Sequence, residues 1–565
     1  MQSNVMHLPR PNPRWPAFSA AAVLIAALLA GCATPPPAAP AAAVKVKVLA
    51  INDFHGNLKP PPGGIRVRDA AGKLVNVDAG GAEHLATAVA QLRAKNPNHI
   101  FVAAGDLIGA TPLLSALFRD EPTVEALSLM GLEVSAVGNH EFDKGTAELL
   151  RMQNGGCDIT HGCKGPKPFT GATYKYLAAS TVVEKTGQTL LPAYHIKSFQ
   201  GIPVAFIGLT LKGTPNIVVP AGVAGLRFDD EADTINRLVP VLQKQGIEAI
   251  VVLIHEGGTP TGDYDECPGL NGSIVGIVKR LDKAVDAVIS GHTHRAYNCR
   301  IDGRLVTSGD KYGTIVSEID LVLDPTTRDV VSATAENHIV RTASFAKDPR
   351  QTALIAQYEQ LSVALAKRVV GRVGAALPRD NNPAGENALG QVIADAQLAA
   401  TRGAGAQVAF MNPGGIRAAL PLPADGQVRY EDLFSIQPFN NNLVTLDLNG
   451  AQVLKLLEQQ WAERSDGGRV LHVSKGFSYS WDGQRPVGQR VVPGSVRLNG
   501  QPLLPTAQVR VTVNAFMAGG GDNFPVLREG GNRVTGVMDV DALEIYVRDN
   551  PGLTPGVLDR IVRVN

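Results

Sequence analysis

Five short stretches set metal-binding side chain types beside glycine. They are NDFHG (Asn52–Gly56), AAGD ending at Asp106, GNHEFD (Gly138–Asp143), LIHEGG around His255, and SGHTH ending at His294. Together they carry Asp53, His55, Asp106, Asn139, His140, His255, His292 and His294. Five of the chain's 12 histidines fall in these stretches, and the others lack such company. Imidazole with carboxylate suits zinc, manganese, iron or cobalt. Seven side chains, Asp53, His55, Asp106, Asn139, His255, His292 and His294, exceed what one tetrahedral ion takes. A carboxylate can bridge two ions, so the set points to a pair of divalent cations sharing Asp106. The chemistry is hydrolysis with metal assistance.

Such a set needs elements that bring it together. Each stretch follows a short apolar run: KVKVLAI, HIFVA, LEVSAV, IEAIVVLI and VDAVI, with GIPVAFIGLT between them. Amphipathic segments separate several of these runs, which reads as buried strands of a layered α/β fold. Ligands in such folds gather where the C-terminal ends of strands converge. At 565 residues the chain exceeds one core. Asp348-Pro349 is a helix start, and Leu354, Tyr358, Leu361 and Leu365 recur at helical spacing up to Gly371. The expected order is a first domain over 45–345, a linking helix within 346–370 that is also a candidate hinge, and a second α/β domain over 371–565.

The second domain offers a different chemistry. FMNPGGIRAAL places Asn412 and Arg417 around a Pro-Gly-Gly turn, SIQPFNNNLV holds Phe439 and Asn441, and NAFMAGGGDNFP sets Phe516 six residues before Asp522. Aromatic faces stack on any nucleobase. Arginine offers a planar fork for phosphate, and aspartate accepts from ribose hydroxyls.

The motifs NDFHGN, GD, GNHEFD, IHEGG and GHTH, in this order, resemble the calcineurin-like metallophosphatases, and more closely the bacterial 5′-nucleotidase family. The resemblance covers about residues 45–530. It implies a four-layer α/β/β/α metallophosphatase domain, then a nucleotide-specificity domain. It implies that Asp53, His55 and His294 hold one ion and Asn139, His255 and His292 the other, with Asp106 shared; zinc, manganese, cobalt, iron and magnesium all remain open. His140 would face the phosphate with Asp143 behind it, although an aspartate before Lys144-Gly145 is also a turn former. Glu141 reads as structural. Phe439 and Phe516 would sandwich the base, Asn441 would meet its edge, Asp522 the ribose, and Arg379 and Arg417 the phosphate end. Two departures stand out: no second arginine lies close to Arg379, and Lys475 interrupts a Ser-Gly pair in a loop that neighbours the base pocket in relatives. The implied substrate is a nucleoside 5′-monophosphate. Alternatives on the same centre are 2′,3′-cyclic nucleotides, nucleotide sugars or a sulfur ester. A binding protein with a vestigial site is disfavoured, since no ligand residue is missing.

The N-terminus reads as an export signal. Arg10 and Arg14 precede an apolar run from Phe18 to Ala30, too short to span a bilayer. Leu29-Ala30-Gly31-Cys32 resembles a bacterial lipobox, which implies a signal peptide over 1–31 and lipidation of Cys32. Residues 32–44 are a Pro/Ala tether. The absence of aspartate after Cys32 favours the outer membrane. An exported compartment favours disulfides; proximity pairs Cys157 with Cys163, which leaves Cys267 with Cys299, and unpaired thiols are the alternative. Net charge is +1 without a long basic run, so nucleic acid is not an expected partner. Contact with membrane is expected through the lipid anchor only.

Overall fold

The computed structural model describes residues 42–159, 162–462 and 468–565. The signal segment, Cys32 and nearly all of the tether lie outside the described residues. Contacts divide the chain into Met1–Ala42 and a unit Ala43–Asn565, and the architecture belongs to the second. Among the described residues no helix is long and apolar enough to cross a membrane.

The apolar runs form strands. In chain order these are β1 (Val44–Ile51), β2 (His99–Ala103), β3 (Val134–Ala136), β4 (Lys175–Leu177), β5 (Tyr194–Phe199), β6 (Ile202–Thr210), β7 (Ala249–His255), β8 (Ala287–Ser290), β9 (Ala296–Ile301), β10 (Arg304–Gly309), β11 (Ile315–Leu323) and β12 (Val330–Ile339). They build two six-stranded sheets, ordered β12-β11-β1-β2-β3-β4 and β9-β10-β8-β7-β6-β5. Neighbours β1 to β4 run parallel, as do β6, β7, β8 and β10.

Period-two alternation sorts the strand residues into layers. Val46, Val48 and Ala50 of β1 meet Val204, Phe206, Val251 and Leu253 between the sheets. Leu49 and Ile51 point the other way, under Leu85 and Val89 of helix α1 (Ala82–Arg93) and Leu127 of α2 (Glu121–Met130). On the far side Ile207, Ile250 and Val252 lie under α3 (Glu231–Gln243) and α4 (Ser273–Arg280). The result is the four-layer α/β/β/α order. The two expected disulfides, Cys157–Cys163 and Cys267–Cys299, are both formed.

Helix α5 (Pro349–Ala366) starts as its sequence demands: the Asp348 carboxylate accepts from the backbone N–H of Arg350 and Gln351. It ends earlier than the expected residue 370. Leu354 and Tyr358 enter the first-domain core, whereas Leu361 and Leu365 are exposed and Ala366 already packs in the second domain. Gly371 is not a helix stop. It lies in the strand Val369–Arg372, paired with Gln427–Arg429, and a β-carbon there would stand 2.8 Å from Val547. Glycine lets that strand and the C-terminal helix approach.

The second domain centres on a five-stranded sheet, β15-β13-β16-β14-β17, formed by β13 (Val408–Met411), β14 (Asn442–Asn449), β15 (His472–Val473), β16 (Gln508–Asn514) and β17 (Gly531–Met538). Helices α6 (Ala388–Thr401) and α7 (Asp539–Asp549) share a core that also takes Leu113 from the first domain.

Candidate active site

Topology collects the candidate ligands. Asp53 follows β1, Asp106 follows β2 and Asn139 follows β3; His255 ends β7, and His292 and His294 follow β8. All are C-terminal ends of strands that run parallel within their sheets. Asp53, His55, Asp106, His292 and His294 sit at positive φ, between 45° and 71°. Each such residue costs on the order of 1–2 kcal/mol, and strain of this kind concentrates at functional sites. Glycine permits the close approach of the loops: a β-carbon on Gly138 would lie 2.1 Å from Asp106 Oδ1.

Two groups of donors converge, Asp53 with His55 and His294, and Asp106 with His255 and His292; His55, Asp106 and His140 make a third that overlaps both. His294 Nε2 is 3.2 Å from Asp53 Oδ1 and 3.1 Å from His55 Nε2. Asp106 Oδ2 is 2.9 Å from His255 Nε2 and 3.6 Å from His55 Nε2, so it faces both groups. Such separations match the edges of a coordination shell with bonds of about 2.0–2.2 Å. His55 Nδ1 is 2.8 Å from the Gly109 carbonyl, and His255 Nδ1 is 2.8 Å from that of Ala104. In the neutral ring each Nδ1 donates there, and each Nε2 presents a lone pair. Burial pushes His55, His292 and His294 down: His292 to about 3 with His255 adding to it, His55 with help from Arg417, His294 with help from Lys311. His255 goes the other way, raised to about 10 by Asp106 against the effect of burial; neutral imidazole is the form that coordinates, so an ion there would displace that proton.

The donors fit divalent ions on a further count. Asn139 Oδ1 is buried without a hydrogen-bond partner. Leaving such an atom unpaired costs about 1–3 kcal/mol, and a cation there removes that cost.

His140 lies beside this set. Its Nδ1 is 2.8 Å from Asp143 Oδ2, and its backbone N–H donates to Asp106 Oδ1 at 2.9 Å. Burial opposes a charged ring, but Asp143 and Asp106 outweigh it and raise its pKa. Glu141, read as structural, has a pointed task. Its carboxylate accepts from the backbone N–H of Asp106 at 3.0 Å, Leu107 at 2.8 Å and Gly138 at 2.6 Å. It therefore clamps the two loops that present Asp106 and Asn139.

The second domain brings its groups to one sheet edge. Asn412 follows β13 and Phe516 and Asp522 follow β16, which are parallel. Phe439 and Asn441 precede β14, which is antiparallel to β16. These groups line a single cavity of about 560 Å³ together with Asp106, Asn139, His140, Asp143, His292 and His294 of the first domain, whereas Asp53, His55 and His255 lie outside its lining. Arg417 enters it with its guanidinium 3.5 Å from His55 Nε2 and 5.9 Å from the Phe439 ring centre. Phe439 stacks on His140 at 5.8 Å between ring centres, tilted 26°.

Several expectations change. Arg379 is exposed and does not line the cavity; it reaches the Arg417 carbonyl and donates to it. Asn412 is buried and committed: it donates to Asp522 Oδ2 at 2.7 Å and accepts from Asn514 at 2.9 Å. Lys475 is exposed, does not line the cavity, and gives its backbone N–H to Asp395. Arg469, absent from the sequence reading, lines the cavity and pairs with Asp522 Oδ1. Its only sequence signal is a cation ahead of a short strand, which is too common to select.

A family model of calcineurin-like phosphoesterases matches residues 46–296, and one of 5′-nucleotidase C-terminal domains matches residues 363–529. The chain is 33% identical to Endonuclease YhcR of Bacillus subtilis over 90% of its own length, and it spans 40% of that relative. It is 32% identical to Cell wall protein Lmo0130 of Listeria monocytogenes, over 93% of this chain and 70% of that protein. Among solved structures, a 5′-nucleotidase precursor from Thermus thermophilus superposes with a TM-score of 0.76 at 26% identity, covering 92% of this chain and 99% of that one.

Proposed function

The chain belongs to the 5′-nucleotidase family of metal-dependent phosphoric monoester hydrolases, which use two divalent metals, and on that premise we propose that it hydrolyses nucleoside 5′-monophosphates to nucleoside and phosphate. One observation carries the proposal: a single cavity is shared by Asp106, Asn139, His140, His292 and His294 with Phe439, Phe516 and Asp522. Asp53, His55 and His294 would hold one ion, Asn139, His255 and His292 the other, and Asp106 would serve both. When bound, the ions supply Lewis acidity and an activated water at neutral pH. His140, its Nδ1 committed to Asp143, offers Nε2 to a phosphoryl oxygen and stabilises the charge that builds as the ester breaks. Arg417 forks the phosphate, and Arg379 braces Arg417 through its carbonyl. Phe439 and Phe516 hold the base. Asn441, whose carbonyl accepts from the Asp539 N–H at 2.8 Å, meets the base edge. Asp522, oriented by Asn412 and Arg469, keeps lone pairs for ribose hydroxyls. The same proposal makes the protein exported and anchored through a lipidated Cys32, with α5 as the hinge between its domains.

Replacing both Phe439 and Phe516 by alanine raises KM for adenosine 5′-monophosphate by about tenfold or more, because stacking is worth about 1–3 kcal/mol per base. KM for p-nitrophenyl phosphate moves far less. Equal shifts on both substrates would remove the stacking assignment.

A further inference from the structure

We infer that residues 214–223 of the first domain complete the nucleoside subsite, as an aliphatic wall facing Phe439 and Phe516; the inference deepens the nucleotidase reading and rests on it. Ile217, Val218 and Val219 line the cavity that also holds the two phenylalanines and Asp522. Val218 and Val223 are buried in the first-domain core together with Phe142 of the loop that carries His140. Val219 is left 40% exposed beside them, an apolar side chain facing the cavity rather than the core.

The segment touches both functional loops. Toward the catalytic loop, Thr146 Oγ1 donates to the Gly222 carbonyl at 3.3 Å, and a β-carbon on Gly222 would stand 2.5 Å from the Phe142 carbonyl oxygen. Toward the nucleoside loop, the turn Thr214–Asn216 packs on the turn Gly521–Asn523, which contains Asp522. A β-carbon on Gly519 would stand 3.6 Å from Pro220 Cδ. One anchored segment therefore lies between the loop presenting His140 and the loop presenting Phe516 and Asp522. Its cavity face is aliphatic and offers the base no side-chain hydrogen bond. It reads the bulk and flatness of a nucleobase, and not the pattern of its edge.

The test uses the full chain, metal-loaded, with p-nitrophenyl phosphate as reporter and adenosine as competitive inhibitor. In the double variant Ile217→Ser/Val219→Ser, the inhibition constant of adenosine rises about tenfold. The ratio of kcat/KM on adenosine 5′-monophosphate to that on p-nitrophenyl phosphate falls by a similar factor. The double variant Ile217→Val/Val219→Ile, which keeps the wall apolar, stays close to the parent on both readouts. The single Val219→Ser, at an exposed position, gives a smaller shift in the same direction and guards against misfolding of the double variant. An inhibition constant and a ratio unchanged in the serine variants would overturn the inference. A parent enzyme that adenosine does not inhibit would instead contradict the nucleotidase reading itself.

Discussion

Asp106→Asn lowers kcat for phosphate release by about 10³-fold or more, a loss of several kcal/mol of transition-state stabilisation. Asp106 is the one carboxylate among the described residues that faces both donor groups, 2.9 Å from His255 Nε2 and 3.6 Å from His55 Nε2. An amide brings no negative charge to offset two cations, and its NH2 end competes for the imidazole lone pairs. The fold persists, because asparagine keeps the shape of the side chain and an amide oxygen that can still accept from the His140 N–H. Circular dichroism and a thermal melt check the fold, and steady-state phosphate release checks the rate. Asp53→Asn strikes one group only and is the milder variant. Parent-like turnover in Asp106→Asn would refute the shared position.

His140→Ala is expected to lower kcat by about 10²–10³-fold, the range seen when one donor to a developing charge is removed. Metal content and KM change little, because the ring belongs to neither proposed ion. Asp143→Asn loses less, since it disturbs the orientation of a ring that is still present. Elemental analysis beside steady-state kinetics separates these cases. Loss of bound metal in His140→Ala would make the residue a ligand and not a charge stabiliser.

The strands and their polar tips were legible because short apolar runs and glycine-flanked ligand types are local signals. β1, β2, β6, β7 and β8 lie where the apolar runs stand, and each ligand follows or ends a strand. The helix start at Asp348 was legible for the same reason. Its end was not. Leu361 and Leu365 keep helical spacing but meet no core, and Gly371 serves the approach of Val547, a contact made far along the chain. The same limit hid the roles of Glu141, Arg469 and Ile217–Val219. A carboxylate clamping two loops, a guanidinium paired with Asp522, and aliphatic residues lining the same cavity as two phenylalanines are all long-range arrangements without a periodic signature. Phe439, Phe516 and Asp522 were found through residue type, yet only the fold shows that they share one cavity with Asp106, Asn139, His292 and His294. Arg379 was drawn in by the family resemblance, and the fold puts it behind Arg417.

The central claim is that loops from five strands assemble a two-ion centre around Asp106. The most direct measurement is elemental analysis of the purified, metal-replete parent protein, titrated against recovery of phosphate release from the chelated form. The account predicts two divalent ions per chain, with activity returning only as the second is taken up. Full activity with one ion, or with none bound, would contradict it.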